Sequence, residues 1–70
     1  MSADELARRL QIWRMENDLT QKEAATVMQI SVRSYQNWEQ QVSVPSALAL
    51  NSLIRTIDTW KRSKQHDHQG

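Results

Sequence analysis

Apolar residues fall into four runs at helical spacing, separated by short polar stretches. In the first, Leu6, Leu10 and Trp13 recur three to four positions apart with Ile12 and Met15 beside them, while Arg8, Arg9 and Gln11 fill the other face. Ser2 stands before the run as an N-cap, and Asp4 and Glu5 suit the positive end of a helix. Asn17-Asp18 offers a left-handed stop, so the pattern predicts a helix over 3–16, with Trp13 half-buried. Thr20 opens the second run as one half of a Thr-x-x-Glu capping box with Glu23, between Leu19 and Ala24. Ala24, Ala25 and Met28 then form the inward stripe of a helix over 21–28, and the alanines let another helix approach closely. Ser31 caps a third helix over 32–40. Tyr35 and Trp38 face inward there, and Val32, Arg33, Gln36, Asn37 and Gln40 cover the other side. Residues 41–44 read as loop, and Pro45 marks the next start. Leu48, Leu50, Leu53, Ile54, Ile57 and Trp60 carry a fourth helix over 46–62, with Lys61, Arg62 and Lys64 at its negative end.

These stripes predict an all-α domain over 1–65, a compact bundle of four or five helices, followed by a disordered polar tail over 66–70. Its expected core is Leu6, Leu10, Leu19, Ala24, Ala25, Met28, Ile30, Tyr35, Trp38, Leu50, Leu53, Ile54 and Ile57. Val27, Val42 and Val44 fall outside the stripes and read as exposed.

Composition narrows the function. A chain of 70 residues is too short for the scaffolds of kinases, dehydrogenases or hydrolases, which need roughly 150 residues or more. There is no cysteine, which removes disulfides, thiolate metal sites and a thiol nucleophile. The single glycine is Gly70, so no glycine-rich phosphate loop can form and hairpin-rich folds are disfavoured. His66 and His68 beside Asp67 do not make a metal site on a polar chain end. No enzyme activity, metal or cofactor is expected. No apolar stretch approaches the roughly 18 residues of a membrane span, and the expected location is the cytoplasm. A net charge of +1 announces no nucleic-acid partner by itself.

The short link Gln29-Ile30-Ser31 says more. Two helices of about eight residues joined so tightly fit the steep angle of a helix-turn-helix, whose second helix presents its first turns to the major groove. Leu19-Thr20-Gln21-Lys22-Glu23-Ala24-Ala25, Met28-Gln29-Ile30-Ser31, Tyr35-Gln36-Asn37-Trp38-Glu39 and Pro45-Ser46 together resemble the phage Cro/C1-type, or XRE-type, helix-turn-helix family from about Leu10 to Ile57.

That resemblance implies a lambda-repressor-like DNA-binding domain and a transcriptional repressor that occupies an operator in double-stranded DNA, nucleoid-associated when bound. It implies base reading by Val32, Arg33, Gln36 and Asn37. It implies phosphate contacts by Gln21, which would also brace the third helix, and by Ser34 and Gln40. It further implies an ion pair between Arg14 and Glu39. The residue types suit these roles: arginine forks onto guanine, and amides pair with adenine.

Two turns depart from the family pattern, with Gln29 and Gln41 where glycine is usual. A non-glycine residue accepts the left-handed conformation at a cost of roughly 1 kcal/mol, so the fold survives. From Ala24 to Thr56 the only charged residues are Arg33, Glu39 and Arg55, which leaves few cations for phosphates. A homodimer would supply a second half-site, and Val42, Val44, Leu48 and Trp60 form the expected dimer surface. The alternative is an interaction module or antitoxin-like protein, binding a partner such as a toxin through Val32, Arg33 and the exposed valines, with DNA binding weak or lost.

Overall fold

Each helix starts where a short hydroxyl side chain can take the place of a missing backbone acceptor. In the computed structural model, which describes residues 1–62, the chain forms α1 (Ala3–Glu16), α2 (Gln21–Met28), α3 (Val32–Glu39) and α4 (Ala47–Thr59). Ser2, Thr20, Ser31 and Ser46 each accept the N–H three residues on, at 3.0–3.2 Å. At Thr20 the capping box closes, because Glu23 Oε1 accepts the Thr20 N–H at 2.9 Å. Ser46, one residue after Pro45, is the cap of the fourth helix, where the sequence suggests only that Pro45 marks the start. The fourth helix ends at Thr59, short of the expected 62, and Trp60 is already extended. The expected tail over 66–70, its histidines and Lys64 lie outside the described residues.

The ends of α1, α2 and α3 share one device. Asp18, Gln29 and Gln41 adopt φ of 55°, 61° and 63°. In each case the residue after them donates its N–H back to the carbonyl five positions earlier: Leu19 to Arg14, Ile30 to Ala25 and Val42 to Asn37. The left-handed residue itself bonds three positions back, which completes a Schellman stop each time. Glycine is the usual occupant of that conformation. All three turns are built without it.

The core joins α1, α2, α3 and the second half of α4. Leu10, Trp13 and Tyr35 are its largest fully buried side chains, surrounded by Leu6, Leu19, Ala24, Ala25, Met28, Leu53 and Ile57. Trp13 is only 2% exposed, which corrects the expectation of a half-buried ring. Its indole N–H donates to the Trp60 carbonyl at 3.2 Å, and the Tyr35 hydroxyl donates to the Leu10 carbonyl at 3.2 Å. With their polar atoms satisfied, both rings can be buried whole. Ile30, Trp38 and Leu50 are half-buried against this core instead of within it, and Ile54 is also half-buried. Val27, expected outside, is half-buried and packs against the core. Ala7 is buried and was not foreseen, since alanine hardly registers in a hydrophobic stripe.

Asn17, which no apolar stripe marks, is buried and ties the end of α1 to the segment after α4. Its amide donates to the Trp13 carbonyl and its oxygen accepts the Arg62 N–H, both at 2.8 Å.

Candidate nucleic-acid interface

The turn Gln29-Ile30-Ser31 connects α2 to α3, and among the described residues these two helices make the most extensive contact. Ala24 and Ala25 are buried with Tyr35 in one core, because methyl side chains let the two backbones come close. With Tyr35 and Glu39 buried and Trp38 half-buried, the opposite face of α3 is left to Val32, Arg33, Gln36 and Asn37. Val32 and Arg33 are exposed, and Gln36 and Asn37 are half-buried. The Arg33 side chain has no ion-pair or hydrogen-bond partner among the described residues.

A polar chain runs behind this face. Arg14 on α1 grips Glu39 with two nitrogens, Nε to Oε2 at 2.8 Å and Nη2 to Oε1 at 3.2 Å, and gives Nη1 to the Leu19 carbonyl at 3.3 Å. Gln21 Nε2 donates to Glu39 Oε1 at 3.0 Å, and Gln21 Oε1 accepts from Gln36 Nε2 at 3.1 Å. The chain Arg14–Glu39–Gln21–Gln36 thus ties a side chain of the α3 face to α1 and α2. One proton of the Gln36 amide and its oxygen remain to present a donor and an acceptor, the pair that adenine matches in the major groove. Gln11, which the helical pattern places only on the polar face of α1, adds a bond from its Nε2 to the Glu39 carbonyl at 3.3 Å.

Electrostatics follow this geometry. Burial by itself would push the Glu39 carboxyl up; the Arg14 guanidinium, with the Gln21 amide, outweighs it and holds the group below its ordinary value. The bond to Glu39 holds Arg14 above its ordinary value. Tyr35 is pushed up, chiefly by burial and then by the neighbouring carboxylate, so it remains a neutral donor.

The residues expected at phosphates are placed differently from one another. Gln21 is half-buried with its amide committed on both sides, so it acts on α3 through Gln36. The Ser34 hydroxyl accepts from that of Ser31 at 3.1 Å, and Gln40 is exposed just past the end of α3. The first N–H groups of α2 (Gln21 and Lys22) and of α3 (Val32 and Arg33) precede any intrahelical acceptor, so they can hold anions.

The expected dimer surface divides in two. Val42, Val44 and Leu48 are 68%, 61% and 82% exposed. Trp60 is half-buried, stacked edge-on against Trp13 at 5.7 Å. Leu48 and Trp60 lie twelve positions apart on one helix and its end, about 18 Å at 1.5 Å per residue, so the four do not form one patch. No helix among the described residues is long and apolar enough to cross a membrane, and no group of His, Asp and Glu among them could hold a metal ion.

No curated protein and no solved structure matches the chain. A helix-turn-helix family model matches residues 10–59, which takes in the second half of α1, both helices of the motif and all of α4. Domains of this family are non-catalytic DNA-binding modules. With a match over most of its length, the chain belongs to the XRE/Cro-type helix-turn-helix family of DNA-binding proteins.

Proposed function

We propose that the protein is a Cro/C1-type repressor that reads a specific operator through α3 and acts by occupying it as a homodimer in the cytoplasm. The supporting observation is the outward face of α3, where Arg33 is exposed and Gln36 is held by Gln21. Arg33 reads a guanine, Gln36 and Asn37 read adenines, and Val32 packs on a thymine methyl. The N-termini of α2 and α3, with Ser34 and Gln40, fix the register on phosphates.

Selection of binding sites from a random duplex pool, followed by gel shifts at several salt concentrations, tests this reading. A recovered consensus with two half-sites about 34 Å apart is the expected result. Loss of all binding at moderate salt, with no consensus, would sink it.

A second reading, partner binding with DNA binding weakened, draws support from charge. Between Ala24 and Thr56 the chain carries only Arg33, Glu39 and Arg55. Few cations mean few released counterions and low non-specific affinity for a monomer. The same selection separates the readings, because a protein with lost DNA binding enriches nothing.

A further inference from the structure

The hydrogen-bond chain that ends on Gln36 has a direction, and one buried residue sets it. A glutamine amide has a donating end and an accepting end of nearly the same shape, so two amides in series can run either way. Gln21 and Gln36 are such a series, joined at 3.1 Å. Their inner end meets Glu39, and an ionised carboxylate can only accept. Arg14 holds both of its oxygens, Nε to Oε2 at 2.8 Å and Nη2 to Oε1 at 3.2 Å, and the Glu39 side chain is 3% exposed. Glu39 is an anchored acceptor.

Each bond then dictates the next. Glu39 Oε1 calls for a donor, and Gln21 turns Nε2 to it at 3.0 Å. That leaves Gln21 Oε1 toward α3, where it calls for a donor from Gln36. Gln36 gives one N–H inward and keeps the other N–H and its oxygen, a donor and an acceptor that match N7 and the amino group of adenine. Were the chain reversed, Gln36 would turn its oxygen inward and keep two donors. Those match the N7 and O6 acceptors of guanine.

We infer that Glu39 is a specificity-determining residue: from within the fold, its carboxylate makes Gln36 a reader of adenine instead of guanine. This rests on the reading of α3 as the base-contacting helix, and adds to it a positioning residue on the opposite face of that helix. Glu39→Gln keeps the side chain's shape and changes the logic. An amide nitrogen in place of Oε2 would face Arg14 Nε and break the shorter of the two Arg14 bonds. In place of Oε1 it breaks only the longer one and can donate to Gln21. Gln21 must then turn its oxygen toward position 39 and its nitrogen toward Gln36, which reverses the chain.

Two measurements test this. In magnetic resonance of the isotope-labelled free chain, a coupling across the hydrogen bond should link Gln36 Nε2 to the Gln21 side-chain carbonyl. Glu39→Gln should abolish it and shift the side-chain amide signals of both glutamines. In selection from duplex pools, the wild type should favour adenine over guanine by roughly tenfold or more at the base pair whose preference Gln36→Ala removes. Glu39→Gln should erase or invert that ratio there. Leu53→Ala, a core change on α4 outside the chain, should lower stability and keep the adenine preference. The inference is overturned by a wild-type coupling that is missing or runs from Gln21 Nε2 to the Gln36 carbonyl, a result that needs no variant to fold. It is equally overturned by an adenine preference that is absent from the wild type, persists in Glu39→Gln, or is lost as much in Leu53→Ala. A wild type that selects no consensus at all removes the DNA reading and the base assignment with it, while the coupling in the free chain reports the direction of the bonds separately.

Discussion

Arg14 and Glu39, 25 positions apart, form a two-pronged ion pair in which the carboxylate side chain is 3% exposed and the guanidinium 22%. Removing one member of a buried pair strands the other, at a cost of about 3 kcal/mol or more. Glu39→Ala should therefore lower stability by about 3 kcal/mol in urea unfolding, and Arg14→Ala should do so comparably. Loss of only a few tenths would mean that the pair is solvated.

The same pair sets a pH dependence. The folded-state pKa of Glu39 is depressed, so its contribution to stability is full above the unfolded value near 4.5 and is lost as pH falls through the folded value. Thermal melts of the wild type should fall between neutrality and pH below about 4.5, and Glu39→Gln should be less stable at neutral pH but flatter in acid. A wild type and variant with parallel profiles would remove Glu39 as the source.

Gln21 links that pair to the outward face of α3. Had it only touched a phosphate, Gln21→Ala would weaken binding to all sequences alike. With its oxygen accepting from Gln36 at 3.1 Å, the substitution also releases a side chain to which the proposed readout assigns a base. Affinity should drop more for the selected operator than for random duplex, and preference should relax at the base pair read by Gln36. A uniform drop across sequences would show that the Gln21–Gln36 bond plays no part in readout.

Arg33 is exposed on the first turn of α3 and has no protein partner among the described residues. Arg33→Ala should cost about 1–3 kcal/mol on the selected operator and relax one base pair. An equal loss on random DNA would reassign Arg33 to a phosphate, and it should then also lower the salt slope by about one.

The turns offer a change in the opposite direction. Gln29 and Gln41 hold φ of 61° and 63°, where a β-carbon crowds the following carbonyl. Gln29→Gly and Gln41→Gly should each stabilise the fold by about 1 kcal/mol, close to additively since they close different helices. Denaturant midpoints that fall in either variant would show that chain entropy outweighs the relieved strain.

How far the sequence predicted this fold depends on the residue. Three caps, the first three helix starts and the alanine-lined α2–α3 contact were legible, because each rests on contacts a few positions apart. Trp13 was misjudged because its burial depends on Trp60, 47 positions away, which packs edge-on against its ring and accepts its indole N–H; Asn17 was missed because it carries no hydrophobic signal. The outer face of α3 could be read from its spacing once Tyr35 and Trp38 were placed inside. The commitment of Gln21 to Gln36 and Glu39 could not. An amide shows in sequence only as polar, and its partners depend on how α1, α2 and α3 close around Glu39. The splitting of Trp60 from Val42, Val44 and Leu48 has a similar cause, since apolar character does not say which end of a helix a residue serves.

That splitting reshapes the expectation for assembly. A single domain reaches about one half-site, and two recognition helices one DNA turn apart require a two-fold pair. With Trp60 half-buried against Trp13, the surface left for pairing is the α3–α4 loop and the start of α4, where Val42, Val44 and Leu48 are the exposed apolar residues. These follow α3 directly in the chain, so a two-fold contact there would couple the two reading helices with little intervening structure. Each side chain returns little by itself; burying a leucine or valine fully is worth about 1.5–3 kcal/mol. Three per protomer can support a pair that is weak when free and firm when the operator holds both copies. Val44→Lys and Leu48→Lys should leave helicity and Tm nearly unchanged, because both positions are exposed in the monomer. They should weaken binding to the two-half-site operator by at least tenfold, leave affinity for an isolated half-site alone, and abolish the two-to-one complex in sedimentation. Trp60 variants, by contrast, should lose stability through the Trp13 contact. A double-lysine variant that still pairs on the operator would sink this interface.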